Sequence, residues 1–218
     1  MIRRDAARAL TIGALAAWAF VAACRREPPV AGFWYESHAS FTLPGGDATR
    51  IGGPLTPGEL QSIERSSRDE VVRAFAGFRL TITNRRDALW TVAVRPDIPG
   101  RSVLPGAGAS VALAPLGGSG AVDFDVLADL AVQLAPAGAS RADVVAAIGR
   151  GVGRAAVHEL AHQILGTSLI HNAADLDSYE YPTADRASQY YGTLHWTTAW
   201  PALVRRFGTT GPGAPPRG

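Results

Sequence analysis

The chain has 218 residues, 47% of them hydrophobic and 18% charged, with a formal charge of +2. That composition gives enough apolar material for a sizeable single core and excludes a disordered or fibrous chain. Every basic residue is an arginine and none falls in a basic run, which argues against a nucleic-acid partner, and the single cysteine, Cys24, excludes an intrachain disulfide.

Arg3, Arg4 and Arg8 precede an apolar run from Leu10 to Ala23, which has the length of a signal-peptide core and is too short to span a bilayer. The run ends Val21-Ala22-Ala23-Cys24 and there resembles the bacterial lipobox. That resemblance implies cleavage before Cys24, acylation of its thiol and attachment to the lipid bilayer of the cell envelope, on the periplasmic or outer side. Arg25, standing where an Asp would favour inner-membrane retention, points the same way. Loss of residues 1–23 removes three of 21 basic and one of 19 acidic side chains and leaves 18 of each. Lipid rather than charge would then hold the neutral protein to the membrane.

Residues 1–23 are therefore read as a signal peptide, 24–32 as a lipidated tether, 33–207 as the folded domain and the Gly- and Pro-rich 208–218 as a disordered tail. In the domain, Thr56-Pro57-Gly58-Glu59 has the chemistry of a capping box. A helix from Pro57 to Phe75 follows, with Leu60, Ile63, Val71, Val72 and Phe75 as its buried candidates. Phe78–Thr83 and Leu89–Arg95 alternate apolar and polar residues around a turn and predict a β-hairpin. Ser110–Ala114 and Ala121–Val126 are further strand candidates, and Phe124–Leu134 reads equally as the start of a helix. Ser140 and Asp143 begin a second capped helix, Arg141–Leu165, in which Gly149, Gly151 and Gly153 predict a kink, a break or a close crossing and Gly166 suits the C-cap. Thr183–Tyr191 predicts a last short helix.

Within the second helix stands His158-Glu159-Leu160-Ala161-His162. At about 100° per residue the two histidines fall about 40° apart on one face, one turn from each other, where both can ligate one metal ion. Glu159 adjoins a ligand without being one, as a general base requires. With five His in the chain, a chance H-E-x-x-H arises on the order of a few times in a thousand. The motif and its uncharged flanks, Ala155-Ala156-Val157 and Ile164-Leu165, resemble those of the zincin metallopeptidases. The resemblance implies an α+β, zincin-like fold: a small mixed sheet packed on an N-terminal helix and an active-site helix (33–166), followed by a mostly helical C-terminal part (167–207). It also implies Zn2+ as cofactor, a peptide or protein substrate, and Glu159 as base.

A catalytic zinc site needs a third protein ligand. His171 is the chosen candidate, because a chain leaving the helix at Gly166 can double back beneath the metal. The layout is similar to that of the metzincins, but the intervals are longer and their Met-turn has no counterpart, Met1 being the sole methionine. Asp175 or Asp177, as in aspzincins, Glu180, as in gluzincins, and His195 remain alternatives. Tyr179 or His195 could stabilise the oxyanion, since some zincins use a Tyr or a second His, and Asp175 or Asp177 could orient a ligand histidine. Tyr181, Tyr190 and Tyr191 fall in the same stretch, and His38, far off in sequence, is read as structural. The leading expectation is an envelope-anchored zinc metallopeptidase with His158, His162 and His171 as ligands. An inactive zincin-like lipoprotein that binds a partner or holds a metal, and a metal-free envelope-structure protein, are the competing ones.

Overall fold

The computed structural model describes residues 27–36, 41–43, 45–96, 98, 112–113 and 118–210. The expected signal peptide, Cys24, His38 and residues 211–218 lie outside the described residues. One five-stranded sheet contains β1 (Val30–Tyr35), β2 (Thr81–Thr83), β3 (Trp90–Arg95), β4 (Ala112–Leu113) and β5 (Ser119–Asp123), in the order β2-β1-β3-β5-β4. β4 is antiparallel to β5 and all other neighbours are parallel. The helices are α1 (Gly45–Arg50), α2 (Pro57–Phe75), α3 (Phe124–Gln133), α4 (Arg141–Leu165), α5 (Ser188–Tyr191) and α6 (Trp200–Phe207). The class is mixed α+β with a small mixed sheet.

The expected hairpin does not form. β2 and β3 lie on opposite sides of β1, both parallel to it, so their connection must cross β1. It crosses at Gly32, where a Cβ would collide with the carbonyl oxygen of Arg85. Residues 30–32, expected in the tether, are the first half of β1. Phe124–Gln133 resolves as helix, because Asp123 ends β5 and its carboxylate accepts from the Val126 N–H as an N-cap.

α2 and α4 run over the residues that their capping boxes predict. Thr56 and Glu59 close the first, Ser140 and Asp143 the second, and Gly166 ends α4 in the left-handed region at φ 63°. Of the expected α2 core, Ile63, Val71 and Phe75 are buried, Leu60 is partly buried and Val72 is exposed. The α4 glycines mark close crossings. A Cβ at Gly149 would lie 2.7 Å from Ser66 Cβ, and one at Gly153 2.6 Å from the Ser67 carbonyl, so α2 packs backbone to backbone on α4. Gly151 makes room for the ring of Tyr190. α4 is also tied to the sheet: the Gln163 amide accepts from the Thr91 N–H and donates to the Thr91 carbonyl, each at 3.0 Å. The helix that carries the motif is thereby fixed against both α2 and β3.

The expected helical C-terminal part is mostly turns. Asn172 Oδ1 accepts from the Ala174 N–H and Asp175 Oδ1 from the Asp177 N–H, and such local bonds compete with helix formation. Helix is confined to α5, at the end of the expected Thr183–Tyr191 span, and α6. The expected tail is ordered at its start, where Thr209 pairs with Phe78 and the Thr210 N–H donates to the Gly77 carbonyl.

Two stability measurements check this packing. Gly149→Ala should destabilise by about 1–3 kcal/mol in urea unfolding despite the better helix propensity of Ala, because α2 must move. Gly58→Ala, with open space around the site, should not. The Arg141 guanidinium, followed by the capping bonds of Thr56, holds the Glu59 carboxyl down to about 2, against the ordinary value of 4.5. Its contribution is complete above about pH 4.5 and is lost as pH falls towards 2, so Glu59→Gln should flatten the acid limb of the stability profile by about 1 kcal/mol.

Candidate metal centre

The last two turns of α4 present His158 and His162 on one face, as the motif spacing requires. Past Gly166 the chain reverses: the Gly166 and Thr167 N–H groups both donate to the His162 carbonyl. Ile170 then buries in the core, and the Asn172 N–H donates to the Glu180 carbonyl while its side chain donates to Thr197. His171, held between these two anchors, swings back to the motif. The Nε2 atoms of the three histidines lie 2.9 Å (158–162), 3.1 Å (162–171) and 3.2 Å (158–171) apart. Among the described residues these three form the one group of His, Cys, Asp and Glu arranged to hold a metal ion.

Tautomers make this convergence informative. Nδ1 of His158 lies 2.8 Å from the Tyr179 carbonyl, and Nδ1 of His162 lies 2.8 Å from the Thr167 carbonyl. A carbonyl only accepts, so each Nδ1 carries a hydrogen and, in the neutral ring, each Nε2 is a bare lone pair. Burial drives the His158 ring towards the neutral form, down to about 4, and lowers His171 as well. Two bare nitrogens therefore face each other at 2.9 Å, an arrangement that repels unless a cation is shared. Ligands about 2.0–2.1 Å from a tetrahedral ion stand about 3.3 Å apart, so the triangle fits a small ion with slight expansion. His162 is buried, His158 half-buried and His171 exposed, which leaves one side open.

Glu159 is buried, and burial pushes its carboxyl up to about 7. No hydrogen bond or ion pair holds it among the described residues. It adjoins His158 in sequence and, without a partner among the described residues, is suited to accepting and returning a proton.

The other candidates lie elsewhere. The Tyr179 hydroxyl donates to Glu70 Oε1 at 3.1 Å in a buried setting, and burial raises its pKa. The phenol expected to stabilise an oxyanion is thus committed to the protein, and Tyr179 serves the centre through its carbonyl. His195 donates from Nε2 to Asp175 Oδ2 at 3.0 Å, and its backbone pairs with Asp177 and Tyr179. Glu180 is fully buried, accepting from the Thr197 and Ala199 N–H groups. None of Asp175, Asp177, Glu180 or His195 joins the three histidines, and the Asp expected to orient a ligand histidine is replaced by the carbonyls of Thr167 and Tyr179.

A buried ion pair underlies the centre and was not singled out from the sequence. Arg154, one turn before His158, donates from Nε to Glu70 Oε1 at 2.9 Å and to the carbonyls of Ser188, Gln189 and Gly192. Both partners are almost inaccessible to solvent, and removing one would cost about 3–5 kcal/mol. The signal was a lone Arg in the otherwise uncharged stretch Gly151–Val157 of a buried helix.

No family model matches the chain, and no curated protein resembles it significantly. The site stands on its own geometry. His171→Ala should weaken binding of a divalent cation at least 100-fold in a competition titration, whereas Asp177→Ala should leave it unchanged.

Proposed function

We propose that the protein is a zinc-dependent peptide hydrolase of zincin-like type, anchored to the cell envelope by an acylated Cys24. The observation that carries this reading is the pair of bare, partly buried Nε2 lone pairs at 2.9 Å, completed by His171, with Glu159 next to His158 in the chain and without a partner among the described residues. Three imidazoles suit Zn2+ among the available cations. A zinc ion held there supplies a Lewis acid that polarises a scissile carbonyl and acidifies a water.

The chain's own residues do the rest. His158, His162 and His171 hold the ion, with the first two rings fixed through their Nδ1–H bonds. Glu159 takes a proton from the water as its oxygen bonds to the carbonyl carbon, then delivers that proton to the amide nitrogen as the C–N bond breaks. An envelope location agrees with the leader and with the neutral charge of residues 24–218.

The test uses the full chain purified without chelator. Wild type should contain about one zinc per chain and cleave an unfolded protein such as casein, and a chelator should abolish the cleavage. Glu159→Gln should retain the zinc and lose activity by at least about 1,000-fold. Less than about 0.2 zinc per chain, or cleavage undiminished in Glu159→Gln, overturns the reading.

A further inference from the structure

The three histidines do not explain why the His158 ring stands where it does. Its orientation depends on the Tyr179 carbonyl, 2.8 Å from Nδ1. That carbonyl lies in a stretch of turns, in which a backbone group needs an anchor to hold its direction. The anchor is the side chain of the same residue. The Tyr179 phenol reaches across to α2 and donates to Glu70 Oε1 at 3.1 Å, with its ring against Trp196 at 5.0 Å between centroids. Glu70 cannot move to follow it, because the same oxygen is held by Arg73 and by Arg154 Nε at 2.9 Å. Arg154 belongs to α4, one turn from His158. A closed circuit results, running from α4 through Arg154, Glu70 and the Tyr179 phenol to the Tyr179 carbonyl and back to α4 at His158.

We infer that Glu70 and Tyr179 are positioning residues for the metal centre: the buried carboxylate clamps the Tyr179 hydroxyl so that the Tyr179 carbonyl fixes His158 in its Nδ1–H tautomer, with Nε2 bare towards the ion. The inference rests on the metal-centre reading and adds to it a carboxylate that never touches the ion. Glu70 lies 109 positions from Tyr179, on a helix that contributes no ligand. The carboxylate oxygen serves three donors, from Arg73, Arg154 and Tyr179, and loss of the phenol leaves the Glu70–Arg154 pair intact. Tyr179→Phe therefore isolates the positioning role from that of the ion pair.

The test has one readout without metal and one with it. In metal-free protein labelled with 15N-histidine, His158 should be almost wholly the Nδ1–H tautomer, and Tyr179→Phe should show a mixture with the Nε2–H form. Titrated with Co2+, wild type should bind one equivalent, whereas Tyr179→Phe should bind about 10-fold more weakly and with an altered visible absorption spectrum. Glu70→Ala, checked for folding by circular dichroism, should shift both readouts in the same direction. A merely structural role would lower the unfolding midpoint and leave tautomer, spectrum and affinity as in wild type, and that result in a folded variant overturns the proposal. Wild type that takes up no Co2+ overturns the metal centre itself and this inference with it. Wild type that binds while the variants match it overturns this inference alone.

Discussion

The structure depends on a repulsion that the fold imposes on itself. Two carbonyls, from Thr167 and Tyr179, take the hydrogens of His162 and His158 and turn the remaining lone pairs of both rings towards each other. Each contact is favourable alone, yet the sum brings electron-rich nitrogens together in a partly buried place where burial drives the His158 ring towards its neutral form. A fold tolerates this when a cation resolves it, so the two hydrogen bonds made by Nδ1 say as much about the site as the three nitrogens do. Much of the rest serves to keep the carbonyls in place: the left-handed Gly166, buried Ile170, the Asn172 bonds and the clamp on Tyr179.

The glycines of α4 show how packing serves the same end. A helix interior containing three glycines gives up stability relative to alanine, by about 1 kcal/mol each. In return α2 approaches closely enough for Glu70 to meet Arg154, and Tyr190 fits over Gly151 beside the carbonyls that Arg154 binds. With larger residues there, the helices would stand apart and the ion pair would open to water. Gln163, nearer the C-terminal end, joins the helix to Thr91 of β3 through a two-point amide contact. The motif is carried on an element that cannot rotate.

What could be read from the sequence was local. Capping boxes at Thr56 and Ser140, the helical period to Leu165 and the stop at Gly166 are signals within a few residues, and the structure has those elements at those places. His171 was reachable as well, since a Gly stop followed closely by an imidazole is a short-range pattern. The strand pairing was not, because alternation in Phe78–Thr83 and Leu89–Arg95 says that strands exist but not that β1 lies between them. Tyr179 was singled out for the wrong group: proximity to the motif pointed to its hydroxyl, whereas the backbone carbonyl faces the centre. Nothing near Tyr179 in sequence announces Glu70.

The closed circuit through Glu70 also sets an order of events during folding. α4 by itself brings two imidazoles within reach of an ion, but neither ring has a fixed tautomer until the chain beyond Gly166 has wrapped around. The Glu70 contacts span 84 and 109 positions of sequence, and contacts so distant form late. A nascent or unfolded chain thus offers a cation a loose two-point grip at best, and tight capture must wait until nearly the whole polypeptide has assembled.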